Sequence, residues 1–483
     1  MNTLQDLIIE IFETFMFYYS LAILVIYFIL GVISALVLRK YMRESELRQS
    51  EGVLNSPFIP PISIIAPAFN EELNIVDNIK ALMALYYADY EVIVVNDGSR
   101  DQTLSKVIDV FKLRKVAFLI NPKIATATVR GVYRSEVRSW NNLIVVDKEN
   151  GGKADALNTG LNISSGDYFI AIDVDSIIDP YALQKMIKPF LEATDKPVIA
   201  TGGVIRIANS CEVREGHLVS IELPRHLLPL FQVIEYNRSF LLGRLAWSKL
   251  NGLLLISGAL GLFDKQLVLD CGGYSCETVG EDMELIIRMR RFLAERKKPY
   301  RVEYIPDPLC WTEAPSSLNV FLRQRNRWTR GTIETLLKHR KVFFNPSYGL
   351  MGMLSYPFWL FFEWMAPLIE CLGLLYFILI FSFGRVNYGF FLILFFFLYF
   401  FSVTITSYAV FFDHIVFFKY NKGKFLFKQI MAIFLEAFLY HPMVLYAAVK
   451  GNIDYFIFKK RSWGAMPRTG FSAAKAKKND TKQ

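Results

Sequence analysis

Long apolar runs at both ends of the chain, with a polar and charge-rich middle between them, constrain the fold more than any single motif. One run covers positions of about 15 to 38, and others follow the middle at about 349–383, 388–412 and 429–449. Each is near or above the roughly 20 residues an α-helix needs to cross a bilayer. The 483 residues are 53% hydrophobic and 20% charged, with positive mean hydropathy, too apolar for an ordinary water-soluble protein and too polar for a pure membrane bundle. The pattern divides the chain into a membrane anchor and linker (1–56), a middle domain (57–330), an amphipathic interface helix (331–348), a second membrane region (349–458) and a basic tail (459–483).

No basic segment precedes the first run and no small-residue cleavage site follows it, so it is expected to be a retained anchor and not a signal peptide. Asp6, Glu10 and Glu13 lie before it and Arg39, Lys40, Arg43 and Arg48 after it. By the positive-inside rule the amino terminus is outside the cell membrane and the middle domain is cytoplasmic. A net charge of +9 fits a protein at a membrane surface. Nucleic acid is not an expected partner, because the basic residues gather beside apolar segments and no nucleic-acid-binding module pattern occurs. The five cysteines lack paired spacing, which argues against a zinc site or a disulfide frame.

Within the middle, Pro57, Pro60 and Pro61 close the linker and an alternating pattern begins. Strands are expected at 62–66, 90–95, 116–120, 143–146, 168–172 and 197–201, with a helical pattern at about 74–85 between the first two. This is an α/β domain with a mainly parallel sheet and helices on both faces. Ligands of such sheets bind outside the carboxyl ends of the strands, and the polar clusters fall there. Asn70-Glu71-Glu72 follows the first strand, Asn96-Asp97-Gly98-Ser99 the second, and Asp173-Val174-Asp175 the apolar run 168–172. A two-residue spacing puts both aspartates on one face, where a shared hard cation would offset their repulsion.

Each cluster also has a plainer reading. Asn-Asp-Gly-Ser makes an ordinary turn, and Asp173 and Asp175 suit a helix cap region. Asn150-Gly151-Gly152-Lys153 reads as a loop with a solvated lysine, or as glycines admitting a phosphate that the lysine neutralises. Glu281 and Asp282, after Gly280, satisfy free amides at a helix start or supply an acid to a site. In Gln324-Arg325-Asn326-Arg327-Trp328, helical spacing puts Gln324, Arg327 and Trp328 on one face. A tryptophan next to two arginines makes a poor solvated face and a good platform for a sugar or diphosphate.

Taken in order, these motifs resemble the family 2 glycosyltransferases of the cellulose synthase, hyaluronan synthase and poly-N-acetylglucosamine synthase type over about residues 57–345. They run Pro67-Ala68-Phe69-Asn70-Glu71-Glu72, Asn-Asp97-Gly-Ser, Gly152-Lys153-Ala154-Asp155-Ala156-Leu157-Asn158, the D-x-D at 173–175, Glu281-Asp282 and Gln324-x-x-Arg327-Trp328. The resemblance implies a GT-A-like nucleotide-sugar-binding domain. It places Asp97 against the uridine, with Ala68, Asn70 and Glu71 flanking it, Lys153 near the diphosphate and Asp173 beside nucleotide and donor sugar. Asp175 would hold a divalent cation, Mg²⁺ or Mn²⁺. Asp282 would be the general base, Gln324, Arg327 and Trp328 would bind the diphosphate and acceptor end, and Ser257, Gly258 and Glu281 would border the acceptor path.

Glu363 and Glu370 are seven residues apart in an apolar segment, where carboxylates normally face protein, water or polar substrate. Lys419, Lys422, Lys424 and Lys428 put the loop before the third carboxyl-terminal run inside, as does the basic tail, so that run is expected to be bent or re-entrant. The resemblance thus implies a multi-pass membrane enzyme, an inverting hexosyltransferase that uses a UDP-sugar, UDP-N-acetylglucosamine by preference. It would build and thread outward an extracellular polysaccharide, with room for accessory export or membrane subunits. A single-addition enzyme with a lipid acceptor is the alternative within that chemistry, and a nucleotide-binding transporter the alternative outside it.

Overall fold

The computed structural model describes residues 2–47, 59–118, 122–214, 216–417 and 423–460. Pro57, Arg48, Lys419, Lys422 and most of the basic tail lie outside them. Twelve strands form in chain order: β1 (Ile62–Ala68), β2 (Tyr90–Asp97), β3 (Leu113–Val116), β4 (Val129–Ser135), β5 (Leu143–Lys148) and β6 (Tyr168–Ile172), then β7 (Ile177–Ile178), β8 (Val198–Ile207), β9 (Glu212–Arg214), β10 (His217–Ser220), β11 (Leu260–Asp264) and β12 (Arg301–Thr312). Ten make one sheet in the order β3-β4-β5-β2-β1-β6-β11-β8-β12-β7, and β9 pairs with β10.

The four strands β5, β2, β1 and β6 are mutually parallel, Val92 opposite Leu143, Ile62 opposite Tyr90 and Ile62 opposite Tyr168. Their β-branched residues are buried on both faces, as parallel strands covered by helices require. All four carboxyl ends therefore open on one edge of the sheet. β11 then enters antiparallel between β6 and β8, β12 runs parallel to β8, and β3 and β4 form an antiparallel edge hairpin, so the sheet is mixed.

Several local expectations change. The strand expected at 116–120 shares only Val116 with β3; 117 and 118 are not in a strand, and 119 and 120 lie outside the described residues. β4, β11 and β12 were not anticipated; β4 carries Arg130 and Arg134 and lacks an apolar run. The interface helix expected at 331–348 is not a separate element. Residues 331–338 continue the helix Leu318–Lys338, and of the apolar stripe Ile333, Leu336 and Leu337 expected at the membrane surface, Ile333 and Leu336 are buried, the latter with Leu254, Met283 and Ile287, while Leu337 is exposed.

Four helical stretches are long and apolar enough to cross a membrane: Leu7–Arg43, Met351–Ser382, Tyr388–Phe417 and Phe425–Phe456. The last is longer than the run expected at 429–449. It runs on helically through a π-turn at Glu436–Tyr440, which absorbs Pro442 just beyond it. Ion pairs tie these stretches to the sheet region. Arg206 at the end of β8 meets Asp413, both almost fully buried, and Arg238 meets Glu436 at 2.9 Å. Removing one partner of such a pair strands the other charge in a dry interior. Asp413→Ala is therefore expected to cost about 3–5 kcal/mol, seen as a lower melting temperature of the detergent-solubilised protein; an unchanged melting temperature would count against Arg206 depending on this partner.

Candidate functional site

The exits of β2, β1 and β6, neighbours in the sheet, deliver their polar residues to one place. At the exit of β1, Asn70 takes a left-handed conformation (φ 56°) and laces two loops together. Its amide donates to Ser99 Oγ (3.0 Å), and its Oδ1 accepts from the Arg100 amide (2.8 Å). The Glu71 amide donates to Thr103 Oγ1. Phe69, of the same motif, is half exposed beside them.

Asp97 ends β2 and is buried, with Lys148 and the Asn150–Gly152 loop around its carboxylate. Gly98 has φ +68°, and a side chain there would meet the Asn150 amide nitrogen at 2.8 Å, so only glycine lets the two loops touch. Past that loop, Lys153 opens the helix Lys153–Ile163 and reaches Asp173 Oδ1 (2.5 Å) and the Gly258 carbonyl (3.2 Å). The Gly258 amide donates to Asp282 Oδ2 (3.1 Å), and Asp282 Oδ1 accepts from the Met283 amide (2.9 Å). A hydrogen-bonded line thus runs from Asp173 through Lys153 and Gly258 to Asp282.

The charges in this cluster adjust to one another. Burial works against the Lys153 ammonium, but Asp173, Glu281 and Asp282 outweigh it and raise its pKa. Burial raises Glu281 above the usual carboxylate range; Lys153 and Arg327 oppose this and Asp282 adds to it.

The helix Leu318–Lys338 forms the opposite wall. Gln324, Arg327 and Trp328 all face the cavity; Arg325 also borders it but is buried, and Asn326 turns away into protein. Arg325 pairs with both oxygens of Glu235 at 2.6 Å, and its guanidinium lies 4.2 Å from the centre of the Trp328 ring, a cation–π contact. The same helix holds the acid loop. Glu334 accepts from Thr278 Oγ1 and the Val279 amide, both at 2.9 Å, and Gly331 crosses Gly280 so closely that a Cβ on Gly331 would stand 2.8 Å from the Gly280 Cα.

The cavity enclosed by these parts measures about 1560 Å³, more than the roughly 300–1,000 Å³ of ordinary small-ligand sites. Its walls include Ala68, Asn70, Glu71, Asp97, Lys153, Asp173 and Asp175 on one side and Ser257, Gly258, Glu281, Asp282, Gln324, Arg327 and Trp328 on the other. Every sequence-predicted site residue thus borders one space. That space runs on to Tyr27, Glu363 and Val444 in the membrane-length helices. Glu370 instead bonds His441 at 2.7 Å. Sequence reasoning missed Lys148, Glu235, Glu334 and Gly331 and gave Asp155 no role beyond its place in a motif; the position of Lys148 two residues before the Asn-Gly-Gly-Lys loop offered a signal.

For a divalent cation the available donors are Asp173 and Asp175. The described residues contain no group of three or more His, Cys, Asp or Glu able to enclose an ion. The pair fits a hard ion whose remaining ligands come from phosphate oxygens, and not a protein-enclosed one.

Acids gathered at adjacent strand exits of such a sheet, facing a basic, tryptophan-bearing helix across a deep cavity, define a glycosyltransferase. The chain belongs to the Glycosyl transferase family group 2, which it matches over residues 168–412, and it matches Glycosyl transferase family 2 over residues 63–210. Poly-beta-1,6-N-acetyl-D-glucosamine synthase of Staphylococcus aureus (strain COL) is 29% identical over 288 residues, 59% of this chain and 58% of that protein. The protein of the same name from Staphylococcus epidermidis is 27% identical over 301 residues, 62% of this chain and 59% of its own. The match thus spans under two thirds of either relative. A mannosyltransferase from Pyrobaculum calidifontis, solved with GDP-Man and Mn²⁺, aligns over 89% of this chain and 100% of its own with TM-score 0.49 and 16% identity.

The Gly280–Gly331 crossing has a direct test. Gly331→Ala pushes a methyl into backbone and is expected to cost about 1–3 kcal/mol, displacing the acid loop and lowering turnover by about tenfold to a hundredfold. Unchanged turnover, measured at equal protein in isolated membranes, would show that the loop does not depend on this contact.

Proposed function

We propose that the protein is an inverting β-glycosyltransferase embedded in the cell membrane that takes a sugar from a UDP-sugar, UDP-N-acetylglucosamine first, and adds it to a growing extracellular polysaccharide. One observation carries the reading: the acids of β6, the Glu281-Asp282 loop and the Gln324-Arg327-Trp328 face border one cavity that continues among the membrane-length helices. The names of the staphylococcal relatives support the sugar. A cytoplasmic catalytic domain over 57–330 and an outward amino terminus follow from the charges flanking the first span.

In this reading the nucleotide lies along the exits of β1 and β2 and the diphosphate reaches Lys153. Asp175, with Asp173 beside it, would hold Mg²⁺ or Mn²⁺ against the phosphates. The ion, when bound, withdraws charge from the leaving diphosphate. Lys153 and Arg327 neutralise that charge from the protein side. Asp282, its carboxylate oriented by the Gly258 and Met283 amides, accepts the proton of the acceptor hydroxyl as the new bond forms. Attack from the face away from the diphosphate converts an α-linked donor into a β-linked product. Trp328 carries the acceptor sugar on its exposed face, and the way past Tyr27 and Glu363 gives the lengthening chain a polar exit.

The reading is tested by incubating membranes with a panel of labelled UDP-sugars and sizing the product. A polymer from UDP-N-acetylglucosamine, cleaved by a linkage-specific hydrolase, is expected; a single addition to lipid would reject polymer synthesis. Asp282→Asn and Asp175→Asn should each lower transfer by about a hundredfold or more, and chelation of divalent ions should abolish it reversibly. Undiminished turnover in either variant would remove that residue from its role.

A further inference from the structure

Trp328 is backed by a closed set of three side chains drawn from three separate helices. Arg325, about one turn before it on the helix Leu318–Lys338, lies with its guanidinium over the indole ring. The outer nitrogens of that guanidinium are taken by Glu235, Nη1 donating to Oε1 and Nη2 to Oε2, each at 2.6 Å. Glu235 belongs to the helix Leu227–Asn237 and borders the cavity. Tyr440, from the last membrane-length stretch, completes the set: its hydroxyl accepts from Arg325 Nη2 at 3.1 Å and donates to Glu235 Oε2. Each of the three thus bonds the other two. Arg325 and Tyr440 are nearly fully buried, so water does not compete for these bonds as it does for a surface pair.

Tyr440 also ends the π-turn Glu436–Tyr440, whose first residue pairs with Arg238. Both ends of that turn therefore grip one cavity-lining stretch, at Glu235 and Arg238. Turns of this kind interrupt regular helix and recur at functional positions. The rings that Tyr440 meets are Phe231 and Phe321, so its link to the indole runs through Arg325. A guanidinium over one face of an indole leaves the other face for a sugar ring, and the place of the guanidinium bears on where that free face points. We infer that Glu235, Arg325 and Tyr440 are positioning residues for Trp328, and that the last membrane-length helix, through its tyrosine hydroxyl, sets the acceptor platform and with it how far a product grows. The inference rests on the proposed polymer synthesis for its consequence; the brace itself is a property of the chain.

Two measurements on the full-length protein test it, with Tyr440→Phe and Arg325→Lys. Both variants keep every charge, so neither strands an ion in the interior, while the first loses the hydroxyl and the second the flat, two-pronged guanidinium. In the first measurement, 5-fluorotryptophan replaces the seven tryptophans and fluorine NMR is recorded in detergent; the Trp328 signal is the one missing from Trp328→Phe. That signal is expected to move in both variants. An unmoved signal in Tyr440→Phe, whose lost hydroxyl is one residue removed from the indole, would overturn the brace. No donor is needed here, so failure of the brace is distinct from failure of the UDP-sugar reading. In the second, membranes are supplied with labelled UDP-N-acetylglucosamine and the product is sized. Mean product length is expected to fall about threefold to tenfold in both variants, while the constant for inhibition by UDP stays as in wild type. Products of wild-type length, or UDP binding weakened to the same degree, would show that the three side chains hold the fold in general and not the acceptor platform, and would overturn the inference.

Discussion

The helix Leu318–Lys338 can approach the acid loop only because two glycines meet where any side chain would intervene, and the geometry of the site follows from that contact. With Gly331 against Gly280, Glu334 reaches the loop amides and the cavity face of the helix comes to stand opposite Asp282. The helix's other face is committed as well. Asn326 donates to Asp454 behind the wall, and at the cavity's edge Arg325 donates to Glu235, so the helix is held on both sides of the face that meets ligand. Rigid support of this kind is what holds reacting groups within the small tolerances that transfer chemistry demands.

Electrostatics in the site follow a division of labour between carboxylates. Asp97 and Asp155 are spent on a lysine that never sees solvent, Glu284 on a buried set containing Arg288 and His339, and Glu334 on backbone amides. Burial alone would raise the pKa of Glu284, but hydrogen bonds from His339 and Arg288 bring it well below the carboxylate range, marking it as structural. Glu281 moves the other way. The contrast separates acids that hold the fold from acids that face the cavity, although both kinds sit within a few residues of each other on the helix Glu281–Glu295.

Much of this was legible in the sequence, for reasons that individual residues make plain. β6 falls where the apolar run 168–172 placed it, because a strand buried on both faces has no polar residue to blur its ends. Helical spacing put Gln324, Arg327 and Trp328 on one face, and all three border the cavity. What escaped was whatever depends on distant partners. Lys148 looks like a surface lysine until Asp97 and Asp155 close on it from either side. Ile333 and Leu336 read as a membrane-facing stripe because an apolar helix face looks the same whether lipid or protein covers it. β4, with two arginines in seven residues, gives no strand signal of its own and forms by pairing with β5.

The ion pairs between sheet and membrane helices carry a consequence for dissecting this molecule. Arg206 and Arg238 belong to the sheet-bearing part of the chain, whereas their acids, Asp413 and Glu436, lie beyond residue 400. A fragment ending before the second apolar region would keep both guanidinium groups and lose both counter-charges, along with the Tyr440 hydroxyl that braces Glu235. Catalytic and lipid-embedded portions are therefore halves of a single electrostatic unit, and neither can be excised without leaving charge stranded at the cut.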